Sequence, residues 1–137
     1  MKVFFDSSSF AKRFIEHEGS EQVEIICSRA SDLGLSVICL PEVLSALNRH
    51  LRENRLTLAQ YGEVKKRLLE NVRDAAVVQL TASVIDSAVR VLETNAVRTM
   101  AALHIACALE WKADLFVSSD QRQLRAATGA GLQTQQA

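Results

Sequence analysis

An α/β domain is the fold class this sequence predicts: a three-layer α/β/α sandwich around a mainly parallel sheet of four to five strands. Three observations predict it. Short β-branched or aromatic apolar runs alternate with stretches of helical periodicity, the pattern of a parallel sheet covered on both faces. The helical stretches outnumber the runs. And two of the runs end abruptly before an acid, Val3-Phe4-Phe5-Asp6 and Leu115-Phe116-Val117-Ser118-Ser119-Asp120. In open α/β sheets the ligand crevice lies outside the carboxyl ends of the strands, so both aspartates fall at one rim.

The opening run is the first strand. From Ser8 to Glu16, Phe10, Ala11, Phe14 and Ile15 recur at helical spacing. Gly19 stops that helix and Ser20 is placed to cap the next, which buries Val23, Ile26, Cys27 and Ala30 and runs to about Leu33. Gly34 breaks it, and Leu35 to Leu40 reads as the second strand. Pro41 suits the first turn of a third helix, to about Glu53. Thr57 caps a charged fourth helix that ends near Arg73. Ala75 to Leu80 is a third strand, and Thr81 caps a fifth helix striped by Val84, Ile85, Ala88, Val91 and Leu92. From Thr99 to about Lys112 the chain is apolar almost all round, as a core helix is. Leu115 to Ser118 is the fourth strand, a last helix runs from Asp120 to about Gly129, and the tail from Leu132 either adds a short edge strand or frays.

The 137 residues, with no linker, repeat or low-complexity block, predict a single domain over 1–137. Nearly half the residues are hydrophobic and 23% are charged, the balance of a soluble globular domain. The net charge is zero, which excludes a broad basic surface for duplex binding but not a local basic rim around an acidic centre. Cys27, Cys39 and Cys107 are odd in number and widely spaced. That argues against a disulfide framework or zinc site and fits a reducing cytoplasm. No signal segment and no membrane-spanning run is expected.

Glu42 enters the helix that leaves strand two and joins Asp6 and Asp120 at the same rim. A carboxylate cluster is costly without a cation. Mg²⁺ or Mn²⁺ relieves that cost, activates water and stabilises the oxyanions of a phosphodiester being cut. Each acid also has a plainer reading: Asp6 and Asp120 as N-caps, Glu42 as a partner of the helix dipole. All three at one rim favour a shared site. His104 reads first as a hydrogen-bonded helix anchor. Arg98 and Arg122 flank two acid positions and are candidates for substrate phosphate. Lys12, Arg13, Arg49 and Arg52 are candidates to extend a basic rim, whereas Lys65-Lys66-Arg67 reads as a solvated face. Trp111 and Tyr61 read as packing residues.

Four short motifs, in order and spacing, carry a resemblance over nearly the whole chain: the strand ending in Asp6-Ser7-Ser8, the step Leu40-Pro41-Glu42-Val43, the segment Arg98-Thr99-Met100-Ala101-Ala102-Leu103-His104-Ile105-Ala106, and Phe116-Val117-Ser118-Ser119-Asp120-Gln121-Arg122. With them the sequence resembles PIN-domain ribonucleases, specifically the VapC toxins of bacterial toxin–antitoxin pairs. The resemblance implies a PIN-like fold and a Mg²⁺- or Mn²⁺-dependent endoribonuclease. It implies metal held by Asp6, Glu42, Asp120 and one further acid, with Ser8 and Ser118 in support. It also implies a VapB-type antitoxin partner, an RNA substrate and a homodimer, with helices three and four as candidate contact faces. The sequence departs from the pattern at Ala101, which stands where the family usually has Asp before Ala-Leu-His. Natural degeneration and an engineered Asp→Ala change both account for it, and the otherwise intact site favours the second. Either way, weaker metal binding and severely reduced hydrolysis are expected. The runner-up is a catalytically silent module that binds RNA or an antitoxin without cutting. A third reading, a phosphatase or receiver-like domain, is disfavoured because strand three ends in Gln79-Leu80-Thr81 with no acid.

Overall fold

The computed structural model describes residues 1–137. In chain order the elements are β1 (Lys2–Phe5), α1 (Ser7–Ala11), α2 (Ser20–Arg29), β2 (Asp32–Ser36), α3 (Cys39–Arg52), α4 (Leu58–Asp74), β3 (Ala76–Val78), α5 (Ala82–Thr94), α6 (Thr99–Trp111), β4 (Leu115–Ser118), α7 (Gln121–Gly129) and β5 (Thr134–Gln136). One five-stranded sheet has the order β3-β2-β1-β4-β5, and every pairing in it is parallel. The tail does form the edge strand β5. No helix is long and apolar enough to cross a membrane.

Alternation along the strands divides the core. Phe4 and Phe116 face one side, stacked with ring centroids 6.0 Å apart, and pack with Val84, Val91, Ile105 and Leu124 of α5, α6 and α7. Val3, Phe5, Leu35 and Val117 face the other side and pack with Phe10, Val23, Val43, Leu47 and Leu68 of α1 to α4. Both faces are therefore covered, as a parallel sheet requires. Cys39 and Cys107 are buried, Cys27 is half-buried, and all three thiols are free. Burial pushes the Cys39 thiol up to about 12, so it packs as a small inert apolar group.

The second strand lies earlier than the sequence predicts. Its register, Lys2↔Asp32, Val3↔Leu33 and Phe4↔Gly34, ends the preceding helix at Arg29 and leaves Val37 to Leu40 outside the strand. Gly34 is no helix breaker. A Cβ there would come within 2.5 Å of the Trp111 ring, so glycine is what lets α6 lie against the sheet. The third helix accordingly starts at Cys39 and not at Pro41. Pro41 is tolerated because the first four helical N–H groups have no partner inside the helix. Gly19, at φ +95°, is the N-cap of α2 in place of Ser20, whose hydroxyl instead accepts from the His17 N–H at 2.9 Å. Thr57 caps α4 with a full capping box completed by Gln60.

The chain runs outward from β1 through β2 to β3, then returns to the opposite side of β1 with β4. The strand order therefore reverses between β1 and β4. In open α/β sheets such a switch point opens a crevice at the carboxyl ends, here between Phe5-Asp6 and Val117-Ser118.

Candidate functional site

Asp6 is fixed by the sheet and by the helix that follows it. Its N–H donates to the Val117 carbonyl at 3.1 Å, continuing the β1–β4 pairing by one residue. Its Oδ1 accepts from the Ser9 N–H at 2.9 Å and caps α1. Its Oδ2 accepts from the Ser118 hydroxyl at 2.8 Å and the Ser8 hydroxyl at 3.1 Å. The residue is only 3% exposed. A carboxylate so buried is stabilised by its convergent donors, and each of these comes from a strand end or first helical turn.

Ser118 links the two strand ends, because its Oγ also accepts from the Asp120 N–H at 3.0 Å. Asp120 is exposed. Its Oδ1 caps α7 by accepting from the Arg122 N–H at 2.9 Å. The capping role and the rim position thus coincide at both aspartates.

Glu42, half-buried in the first turn of α3, uses a single oxygen for two partners. Oε1 accepts from the Ser7 hydroxyl at 2.5 Å and from His104 Nε2 at 2.7 Å, which assigns the proton to Nε2. The His104 bond, aided by Ser7 and partly opposed by desolvation, holds the Glu42 carboxyl below its ordinary value. His104 is 3% exposed and does anchor α6, to the first turn of α3. Its Nδ1 is buried with no partner in the chain.

Asp6, Glu42, Ala101, His104 and Asp120 all line one cleft of about 950 Å³. Ala101 is the third residue of α6, one turn before His104, where the resemblance expects a carboxylate. Arg98, Arg122 and Arg125 line the same cleft. Arg13 does not: it pairs with Glu24 at 3.1 Å and Asn71 at 2.7 Å. Lys12, Arg49 and Arg52 also lie off the cleft wall. Tyr61 accepts from Asn48 at 3.0 Å and packs, as does Trp111.

The donors on this cleft are carboxylate and hydroxyl oxygens, which suits a hard divalent cation. They are not drawn into one ligand set, however, and no three His, Cys, Asp or Glu side chains stand together as one. Each acid is held by its own local donors, and position 101 supplies a methyl group. Among the polar cleft residues, Gln123 and Arg125 escaped the sequence reading, and Ser7 stood in a motif with no role of its own. Ser7 follows Asp6 directly, and Arg125 lies three residues after Arg122 on the same helical face, so both had a local signal. Gln123 had none.

An all-parallel sheet with an acid-lined cleft at its switch point, flanked by arginines, defines an open α/β domain with its ligand site at the carboxyl ends of the strands. The PIN domain family profile matches residues 3–129, and the chain belongs to that family. No curated protein sequence is significantly similar to it. Among solved structures, FitAcB from Neisseria gonorrhoeae superposes with a TM-score of 0.72 at 12% identity, covering 96% of this chain and 95% of that one. VapC20 of Mycobacterium tuberculosis, described as a sarcin–ricin loop cleaving toxin, gives 0.69 at 16% identity over 95% of each chain. VapBC-1 from nontypeable Haemophilus influenzae gives 0.68 at 12% identity over 99% and 98%. The fold is thus that of the VapC toxins.

Proposed function

We propose that the chain is a VapC-like toxin, a Mg²⁺- or Mn²⁺-dependent endoribonuclease whose hydrolysis is impaired by Ala101. One observation carries this reading. The buried, fully bonded Asp6 stands at the switch point with Ser8 and Ser118 on its Oδ2, in the same cleft as Glu42 and Asp120. Asp6 and Asp120, joined through Ser118, would hold the cation with Glu42 alongside, since Mg²⁺ takes one or two carboxylates and keeps several waters. When bound, that ion supplies Lewis-acid stabilisation of the phosphodiester oxygens and a more acidic water. The chain's own residues do the rest. Ser8 and Ser118 orient Asp6. His104 and Ser7 fix the rotamer of Glu42 and keep it ionised. Arg98 and Arg122 hold substrate phosphate.

The likeness to a toxin–antitoxin complex from Klebsiella pneumoniae and to VapBC-1 supports a small VapB-type antitoxin as partner. A homodimer and a cytoplasmic location belong to the same proposal. Ala101 favours a second reading, a silent module that binds RNA or an antitoxin without cutting. Metal-dependent cleavage of mixed RNA, by this chain and by Ala101→Asp with EDTA controls, separates the two. Cleavage by Ala101→Asp at least about tenfold faster supports the nuclease with a missing carboxylate, since even a group that only orients a metal ligand is worth about 10–100-fold. Equal cleavage by both removes the role given to Ala101. No cleavage by either favours the silent module.

A further inference from the structure

The arginines of the cleft offset its acids in full. Its ionised lining is Asp6, Glu42 and Asp120 against Arg98, Arg122 and Arg125. Three carboxylates against three guanidinium groups make a balance of zero, and a carboxylate at position 101 would make it negative. None of the three arginines makes an ion pair: the pairs in the structure are Arg13–Glu24, Arg55–Glu53 and His104–Glu42. All three arginines are exposed. The α6 N-terminus has Arg98 as N-cap, no side-chain cap and no acid in its first turn. The only buried side-chain polar atoms without a partner in the chain are His104 Nδ1 and Gln123 Oε1. Both residues line this cleft. Unpaired buried polar groups are rare in folded proteins, and each calls for a specific reason such as a catalytic role or a bound water or ion. Beside Arg98, Met100 is 50% exposed and gives the cleft an apolar shelf.

Resting on the ribonuclease reading, we propose that this chain binds single-stranded RNA without metal, through Arg98, Arg122 and Arg125. Arg122 and Arg125 lie three residues apart on one face of α7, and Arg98 stands at the start of α6, so phosphates are gripped from both sides of the cleft. Guanidinium groups take phosphate oxygens in pairs. The Gln123 amide faces a hydroxyl or base edge, and Met100 offers a surface for a base. In a four-acid cleft the negative balance repels RNA until a cation is bound. Here Ala101 removes that requirement, so docking and cutting come apart.

The test is fluorescence anisotropy of a short labelled single-stranded RNA of mixed sequence, in EDTA, across a salt series. The unaltered chain is compared with Arg98→Gln, Arg125→Gln, Ala101→Asp and, as a control on α4, Lys66→Gln. Each Arg→Gln is expected to weaken binding about threefold to tenfold and to lower the slope of log K against log salt by about 0.7. Ala101→Asp is expected to weaken binding in EDTA and to regain it with Mn²⁺. Lys66→Gln is expected to change nothing. No binding in EDTA, unchanged binding by both arginine variants, or equal weakening by Lys66→Gln overturns the proposal. So does polyglutamate competing as well as unlabelled RNA, which would point to an acidic protein segment. EDTA-resistant binding without cleavage by any variant leaves this inference standing and sinks the nuclease. Cleavage by Ala101→Asp without EDTA-resistant binding does the reverse.

Discussion

On one side of the cleft Asp6 is 3% exposed and both its oxygens are bonded, to Ser9, Ser8 and Ser118. Glu42 beside it is pinned by Ser7 and His104. On the other side Asp120 is exposed, with Oδ1 on the Arg122 N–H and Oδ2 free. Arg98, Arg122 and Arg125, exposed and without an ion pair, line the same cleft. The inner side is preorganised: its acids are held by donors that strand ends and first helical turns supply as a consequence of folding. The outer side is open to a ligand. The position where this chain departs from its family, Ala101, is half-buried in the cleft wall on the helix that carries His104, and the departure changes the charge that a ligand meets.

The contrast has measurable consequences. Asp6→Ala removes a helix cap and leaves the Ser8 and Ser118 hydroxyls without their acceptor, so a loss of about 2–4 kcal/mol in denaturant unfolding is expected. Saturating Mn²⁺ is expected to stabilise Ala101→Asp by up to about 2.7 kcal/mol at ~100 times its Kd, and the unaltered chain by less. Thermal melts with and without the ion measure the difference. Asp120→Ala loses only an exposed cap, about 1 kcal/mol. Should it cost as much as Asp6→Ala, the two sides are not built differently.

Glu42 gives a smaller effect with a defined sign. Its carboxyl is more acidic in the folded chain than its ordinary 4.5, so the ionised form favours folding above pH 4.5 and that contribution is lost as pH falls below it. His104→Gln removes the main cause, and the acid limb of its stability profile is expected to be shallower. Arg125→Gln, exposed and unpaired, is expected to shift stability by less than about 0.5 kcal/mol.

Most of the fold was legible because the signals were local. The run Leu115–Ser118 became β4 as read, Thr57 and Thr81 cap the helices assigned to them, and the near-uniformly apolar stretch from Thr99 became the buried α6. The second strand was misplaced because Leu35–Leu40 is apolar enough for a strand or a buried helix start. The pairing of Gly34 with Phe4 and Ala76 decides between them. Gly34 looked like punctuation, yet its reason is the Trp111 ring, which lies far along the chain.

The site divides the same way. Asp6, Asp120 and Glu42 were visible because each follows a strand, and a parallel sheet sends all carboxyl ends to one rim. By itself the sequence determined the fold class, the rim and the absence of a carboxylate at position 101. Only the tertiary structure decided which donors hold each acid, that Arg13 is spent on Glu24 while Arg125 is free, and that Gln123 and His104 carry the unpaired buried atoms. Hydrogen bonds and ion pairs depend on distances of a few tenths of an ångström between residues far apart in the chain, and residue order alone does not set those distances.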